Sequence, residues 1–254
     1  MDLKYEHAYI PIENNVQDTS SEAWKRLCEY VEIAAKERHK EFDPFNYLGK
    51  ELYAQLHTLP KSIEKLTHVK KMILYGSKLK RIPPEIGNMK SLEEFIPYTS
   101  YDLHWLPYEI TQCKNLKNSI ISTRALYGNY KHRKPFPSLH ENPVTYNSEI
   151  ISCSVCKKSI SQAETNQWWI SLRVATDVVP LLANICSVEC KKALPKPAKG
   201  YLQYAHKGGK ELGQPSKNDV GVASNRKIPM KKLIFEEKSP KPSIWEAIRK
   251  LWKK

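Results

Sequence analysis

A period of 23–24 residues constrains this 254-residue chain more than any other feature. The pairs Leu59-Pro60, Ile82-Pro83 and Leu106-Pro107 recur at that interval, and Leu56, Leu79 and Leu103 stand three residues before them. Apolar residues then follow every third position: Ile63, Leu66, Val69; Ile86, Met89, Leu92; Ile110, Cys113, Leu116. The pattern next shifts to alternation through Met72 and Leu74, Phe95 and Pro97, and Ser119 and Ile121. A period of two predicts a short strand, and a period of three predicts a helical or 3₁₀ return. Such a unit buries its apolar face only against its neighbours, so the strands must stack and the ends must be capped.

These residues resemble leucine-rich repeats of the LP-x-x-I type over about residues 47–137. The resemblance implies a short solenoid with a parallel sheet on one side. Pro97 and Ser119 stand where strand leucines belong, and Ser77 and Ser100 replace the usual ladder asparagine. Pro97 has no N–H to give, which predicts a weakened rung. Upstream, Thr19-x-x-Glu22 fits a capping box. Trp24, Leu27, Cys28, Val31, Ala34 and Ala35 share one helix face. Asp43-Pro44 ends that helix, which predicts an N-terminal helical cap.

The register also predicts outward-facing columns: Lys70, Glu93, Lys117; Lys71, Glu94, Asn118; Ile73, Ile96, Ile120; Tyr75, Tyr98, Ser122. Rungs about 4.8 Å apart let the Lys-Glu-Lys column pair internally. The isoleucines with their tyrosine edge form an apolar stripe, which either takes a protein partner or is covered by another part of the chain.

The second signal is Cys153-x-x-Cys156, followed after 29 residues by Cys186-x₃-Cys190. Four thiolates in two close pairs make a full tetrahedral set, which predicts one closed, structural zinc site. Paired disulfides would need an oxidising compartment, and a redox CxxC would leave the second pair unexplained. The second pair opens a helical turn, CSVECKKAL, where the helix N-terminus and nearby lysines favour thiolate. The segment resembles a treble-clef zinc finger over about residues 150–195. One ligand set does not support a two-zinc RING domain. Cys28 and Cys113 read as small buried hydrophobes.

The formal charge of +14 is unevenly placed. Residues 191–254 carry 17 Lys/Arg against 5 Asp/Glu, whereas residues 1–190 carry 24 against 22. This predicts a balanced body with a basic tail. Within the tail, His206, Lys207 and Lys210 lie in a HKGGK run that is either an anion-binding nest or an ordinary exposed turn. Ser243 can cap a terminal helix whose Trp245, Ile248, Leu251 and Trp252 share a face. That face docks on the body, on a partner or on a membrane surface, and docking on the body is preferred. No apolar run is long enough to span a membrane, and the opening residues have no apolar signal region, which predicts a cytoplasmic protein.

The expected fold class is therefore α/β, built as a short repeat solenoid with a helical cap, a small α+β zinc module and a basic tail. The expected boundaries are 1–46 for the cap, 47–137 for the repeats, 138–147 for a linker and 148–195 for the zinc module. An irregular basic segment follows over 196–241, and an amphipathic helix over 242–254. No HExxH, GxSxG, P-loop or kinase-type segment occurs, so no nucleophile can be named and a non-catalytic role is expected. Small repeat proteins of this kind resemble bacterial adaptor or immunity proteins. That resemblance implies a protein partner, such as an acidic toxin or effector. The alternative is nucleic-acid binding through the basic tail. No small-molecule substrate is inferred.

Overall fold

The alternating stretches become parallel strands, and the third-residue stretches become 3₁₀ turns. A computed structural model describes residues 17–146 and 150–216. Helix α1 (Glu22–Lys36) opens it and is followed by strand β1 (Glu41–Phe42), helix α2 (Pro44–Tyr53) and strands β2 (Lys71–Ile73) and β3 (Glu94–Ile96). Next come β4 (Leu106–Pro107) and β5 (Asn118–Ser119), then a short antiparallel pair, β6 (Ile150–Ser152) and β7 (Ser159–Ser161). The long hairpin β8 (Asn166–Val174) and β9 (Asp177–Ile185) leads into helix α3 (Val188–Lys192). The fold is mixed α/β, with three sheets, few helices and no closed barrel among the described residues.

One sheet runs in the order β1-β2-β3-β5, all parallel, with Lys71 opposite Glu94 and Glu94 opposite Asn118. Between its strands lie 3₁₀ helices at Lys61–Lys65, Pro84–Asn88 and Tyr108–Gln112. Each is entered by the repeated proline, extended at Pro60, Pro83 and Pro107, and each buries the isoleucine three residues on. Proline sets φ for this entry and lacks an N–H that would otherwise go unpaired. Buried Leu, Ile, Met and Phe of the rungs form one core with α1 and α2. Each such side chain is worth roughly 1.5–3 kcal/mol.

Two sequence expectations shift at the N-terminal end. The cap of α1 is Ser21, whose hydroxyl accepts from the Trp24 N–H at 3.3 Å, not Thr19. Asp43-Pro44 does more than end α1, because Asp43 caps α2 with Pro44 in its first turn. Cys28 is only half-buried. Cys113 is buried in the core position that Met89 holds one repeat earlier, and its thiol donates to the Ile86 carbonyl.

Serines take over the ladder. The buried hydroxyls of Ser77 and Ser100 lie 2.7 Å apart, Ser100 accepts from the Ser77 N–H, and it donates to the Leu74 carbonyl. Ser122 accepts from the Thr99 N–H at 2.7 Å. Pairing of β3 with β5 stops at Phe95–Ser119, two residues before Pro97, which has no donor to extend it.

The structure draws the later boundaries differently. Strand β4 pairs in parallel with β9, and Ile170, Leu172, Val174, Val179 and Leu181 of the hairpin join the repeat core. The turn between β8 and β9 seals the last rung, where the Ser119 hydroxyl donates to Asp177 at 2.8 Å and Thr176 donates to the Ser119 carbonyl. The hairpin is buried on both faces. Its other side, Trp169 and Leu182, builds a second core with Trp105, Tyr127, Phe136, Leu139 and Val144. Residues 138–146 of the expected linker are thus packed rather than free. Gln167 bonds both the N–H and the carbonyl of Val144, and Asn184 donates to the Tyr146 hydroxyl.

Chain contacts divide the molecule into residues 1–221 and 222–254. The expected terminal helix, with Trp245, Ile248, Leu251 and Trp252, and the basic segment beyond residue 216 lie outside the described residues.

Candidate metal centre and exposed sheet face

Four sulfurs converge because two turns bring them together. The β6–β7 turn places Cys153 and Cys156 on a tight knuckle. The Cys153 N–H donates to the Lys158 carbonyl, the Lys157 N–H donates to the Cys153 carbonyl, and Lys157 sits at φ 66°. A left-handed residue there closes the turn. The knuckle is stitched to β9, since the Ser154 N–H donates to the Asn184 carbonyl and the Asn184 N–H donates to the Ser154 hydroxyl. On the other side Ser187 caps α3 and accepts from the Cys190 N–H at 3.2 Å, which fixes Cys186 and Cys190 about the helix start.

The four ligand sulfurs lie within 4.8 Å of one another. Cys156 to Cys186 is 3.5 Å and Cys186 to Cys190 is 3.6 Å. A tetrahedral thiolate site with bonds of about 2.3 Å needs sulfurs about 3.8 Å apart, so the cluster fits one metal ion with little adjustment. The electrostatics point the same way. Burial works to raise the Cys153 pKa. It is outweighed by backbone N–H groups of Cys156, Val155 and Cys186 and by the Cys186 thiol, which bring it down to about 6. Cys186 is pushed up to about 12 by sharing its proton with the sulfurs of Cys156, Cys153 and Cys190. One negative charge is welcome in the cluster and four are not, unless a cation joins them.

The sheet face is arranged as the register requires. Glu93 lies between two lysines, 2.7 Å from Lys70 and 3.4 Å from Lys117, and Lys71 pairs with Glu41 at 3.2 Å. The lysine partners of Glu93 hold its carboxyl below the ordinary range. Ile73 is paired with Ile96, and both are half-buried; Ile120 is 51% exposed. Tyr75 and Tyr98 pack with ring centroids 6.0 Å apart. Glu94 is half-buried on the same face. Tyr101 is 63% exposed. It lies outside the strand register, so alternation gave no reason to select it.

The HKGGK run divides. His206 is buried, pairs by both backbone groups with Trp169, and sets its ring edge-on to Phe136 at 4.6 Å. Burial brings its pKa down to about 4, so it is neutral and offers no charge to an anion. The Gly208 N–H donates to its Nδ1. A Cβ on Gly208 would lie 2.0 Å from the Pro137 carbonyl oxygen, which explains the glycine. Lys207 bonds the Gln167 carbonyl and the Asn166 side chain and lies over the Trp168 ring at 4.3 Å. Lys191 lies over the same ring at 3.3 Å. Lys210 is exposed. The segment is therefore built into the body rather than presented as a nest.

No protein-family model matches the chain, and no curated protein matches it in sequence. No helix among the described residues is long and apolar enough to cross a membrane.

Proposed function

We propose that this protein is a non-catalytic binding protein: a short leucine-rich repeat array, closed by a zinc-braced hairpin, that holds a protein partner on its sheet face. The observation that carries the reading is the outward face of the parallel sheet. There Ile73, Ile96 and Ile120 stand beside Tyr75 and Tyr98 and are flanked by the Lys70–Glu93–Lys117 column. Aromatic and aliphatic side chains ringed by charges are the composition of partner-binding patches. The repeat reading is supported by parallel strands at the sequence period, proline-entered 3₁₀ turns and a hydrogen-bonded ladder. The zinc reading is supported by an all-sulfur, four-ligand set, which suits a closed structural zinc and leaves no position for substrate. A role as a cytoplasmic immunity or adaptor protein against a toxin or effector rests on the resemblance of the repeats.

Affinity capture from the native host, followed by native mass measurement and elemental analysis, tests the proposal. The expected result is one zinc per chain and one stoichiometric protein partner, released by Ile120→Glu with Tyr98→Ala. Recovery of no stoichiometric partner counts against it. Capture of nucleic acid whose retention falls steeply between about 50 and 200 mM salt would replace it with the basic-tail alternative.

A further inference from the structure

A cavity of about 550 Å³ lies against the 3₁₀ turns, apart from the sheet face and bordered by the cysteine knuckle through Ser152 and Lys157. Two carboxylates line it, Glu85 and Glu109, which occupy the same place in successive repeats, two residues after Pro83 and Pro107. Ser62 holds that place in the first repeat, so acidity there is not a requirement of the turn. Glu109 is only 5% exposed, and neither of its carboxylate oxygens has a hydrogen-bond partner; Glu85 Oε2 has none either. Burial pushes both carboxyls up. The Ser154 hydroxyl and the Lys157 ammonium oppose this at Glu109 without meeting hydrogen-bond geometry. A buried carboxylate without a partner is among the least tolerated groups in a protein interior, and one that persists calls for a ligand, an ordered water or ion, or chemistry to explain it.

The surroundings point to the ligand. Gly87 lets the two turns approach. A Cβ there would lie 2.8 Å from the Glu109 carbonyl oxygen and 2.9 Å from its Cβ, so the glycine sets how Glu109 stands beside Glu85. Leu59, Pro60, Pro84 and Trp24 supply an apolar wall. Of the remaining charges, Glu64 accepts from Asn88, Lys157 donates to the Ser154 carbonyl, Arg81 donates to the Thr145 carbonyl, and Lys61, exposed at the rim, acts on Glu85 electrostatically. No donor in the cavity meets hydrogen-bond geometry at Glu85 Oε2 or at either oxygen of Glu109.

We propose that this cavity binds an alkylammonium or alkylguanidinium group, its charged head between Glu85 and Glu109 and its alkyl stem against the proline and tryptophan wall. The site is separate from the sheet face, and Ser152 and Lys157 of the cysteine knuckle form part of its wall. The chemistry belongs equally to a free polyamine and to a lysine or arginine of a peptide.

The test is calorimetric titration of the full chain at neutral pH with putrescine, with lysine blocked at both ends, and with butanol and butyrate as controls. The two cationic probes should bind and the controls should not. Glu109→Gln and, separately, Glu85→Gln should weaken binding about tenfold or more, the effect of removing a charge-assisted hydrogen bond. Melting curves show that each variant is folded, and should Glu109→Gln fail to fold, Glu85→Gln alone decides. Tighter binding of putrescine identifies a free amine, and tighter binding of blocked lysine identifies a peptide; both uphold the site. Binding of butyrate or butanol as tightly as the cations, unchanged affinity in a folded variant, or no heat from any probe overturns it.

Discussion

Two buried residues tie stability to pH in opposite directions. His206 in the folded chain titrates near 4 against an ordinary 6.5, because burial among Phe136 and Trp169 disfavours its charged form. A depressed folded pKa means that the unfolded chain binds the proton first. The contribution of His206 is therefore complete above about pH 6.5 and is lost as pH falls toward 4. At about 1.36 kcal/mol per pH unit this amounts to about 3 kcal/mol. His206→Phe should flatten that part of the curve, read by denaturant melts at pH 7 and pH 5. Glu109 has the opposite sign. Its folded pKa is raised from 4.5, so its contribution is present below that value and lost as pH rises. Glu109→Gln should therefore melt higher than the parent at pH 7.5, with the gap closing near pH 4. The alternating pattern could not reveal either residue. Glu85 and Glu109 fall at repeat positions that face away from the core, where a charge is ordinary, and only the folded turns bury them. His206 lies in a Gly- and Lys-rich stretch that reads as exposed, and its burial comes from a long-range pairing with Trp169.

At the scale of elements, the repeat strands and the sulfur cluster were legible because each is encoded locally. A period of three giving way to a period of two names a turn and a strand, and Cys-x-x-Cys places two ligands on one knuckle. The pairing of β4 with β9 is encoded by neither, since the apolar runs WWISL and VVPLLANI are compatible with many neighbours. The serine ladder was readable as a position but not as an outcome, because a hydroxyl replaces an amide only if the next rung supplies another hydroxyl. On the proposed metal reading the knuckle and α3 depend on the ion more than the rest does, since few apolar side chains hold β6 and β7. Chelation, or Cys153→Ser, should raise amide exchange over residues 150–161 and 186–193 by orders of magnitude. Protection in β2 and β3 should stay unchanged, as measured by hydrogen-exchange mass spectrometry.

Across the whole molecule the hairpin joins two cores. Trp169 is fully buried, its indole N–H donates to the Pro137 carbonyl, and its ring meets Trp105, Tyr127 and Phe136 at 5.8–5.9 Å. Trp169→Ala should cost about 3–5 kcal/mol, measured by denaturant unfolding. Both cores should lose stability in one transition, because the same strand serves them. Boundaries drawn from composition missed this coupling: KHRKPFPSLHENP looks like a spacer, yet Phe136 and Leu139 are anchors within it.

The clasp of Thr176 and Asp177 on Ser119 also governs how such a molecule can grow. Duplication of a rung between β2 and β3 meets equivalent neighbours on both sides. A copy added after β5 would have to displace the clasp and carry the whole hairpin outward with it. Lineages that lengthen this array should therefore gain units in the interior, with the final rung and its clasp inherited together.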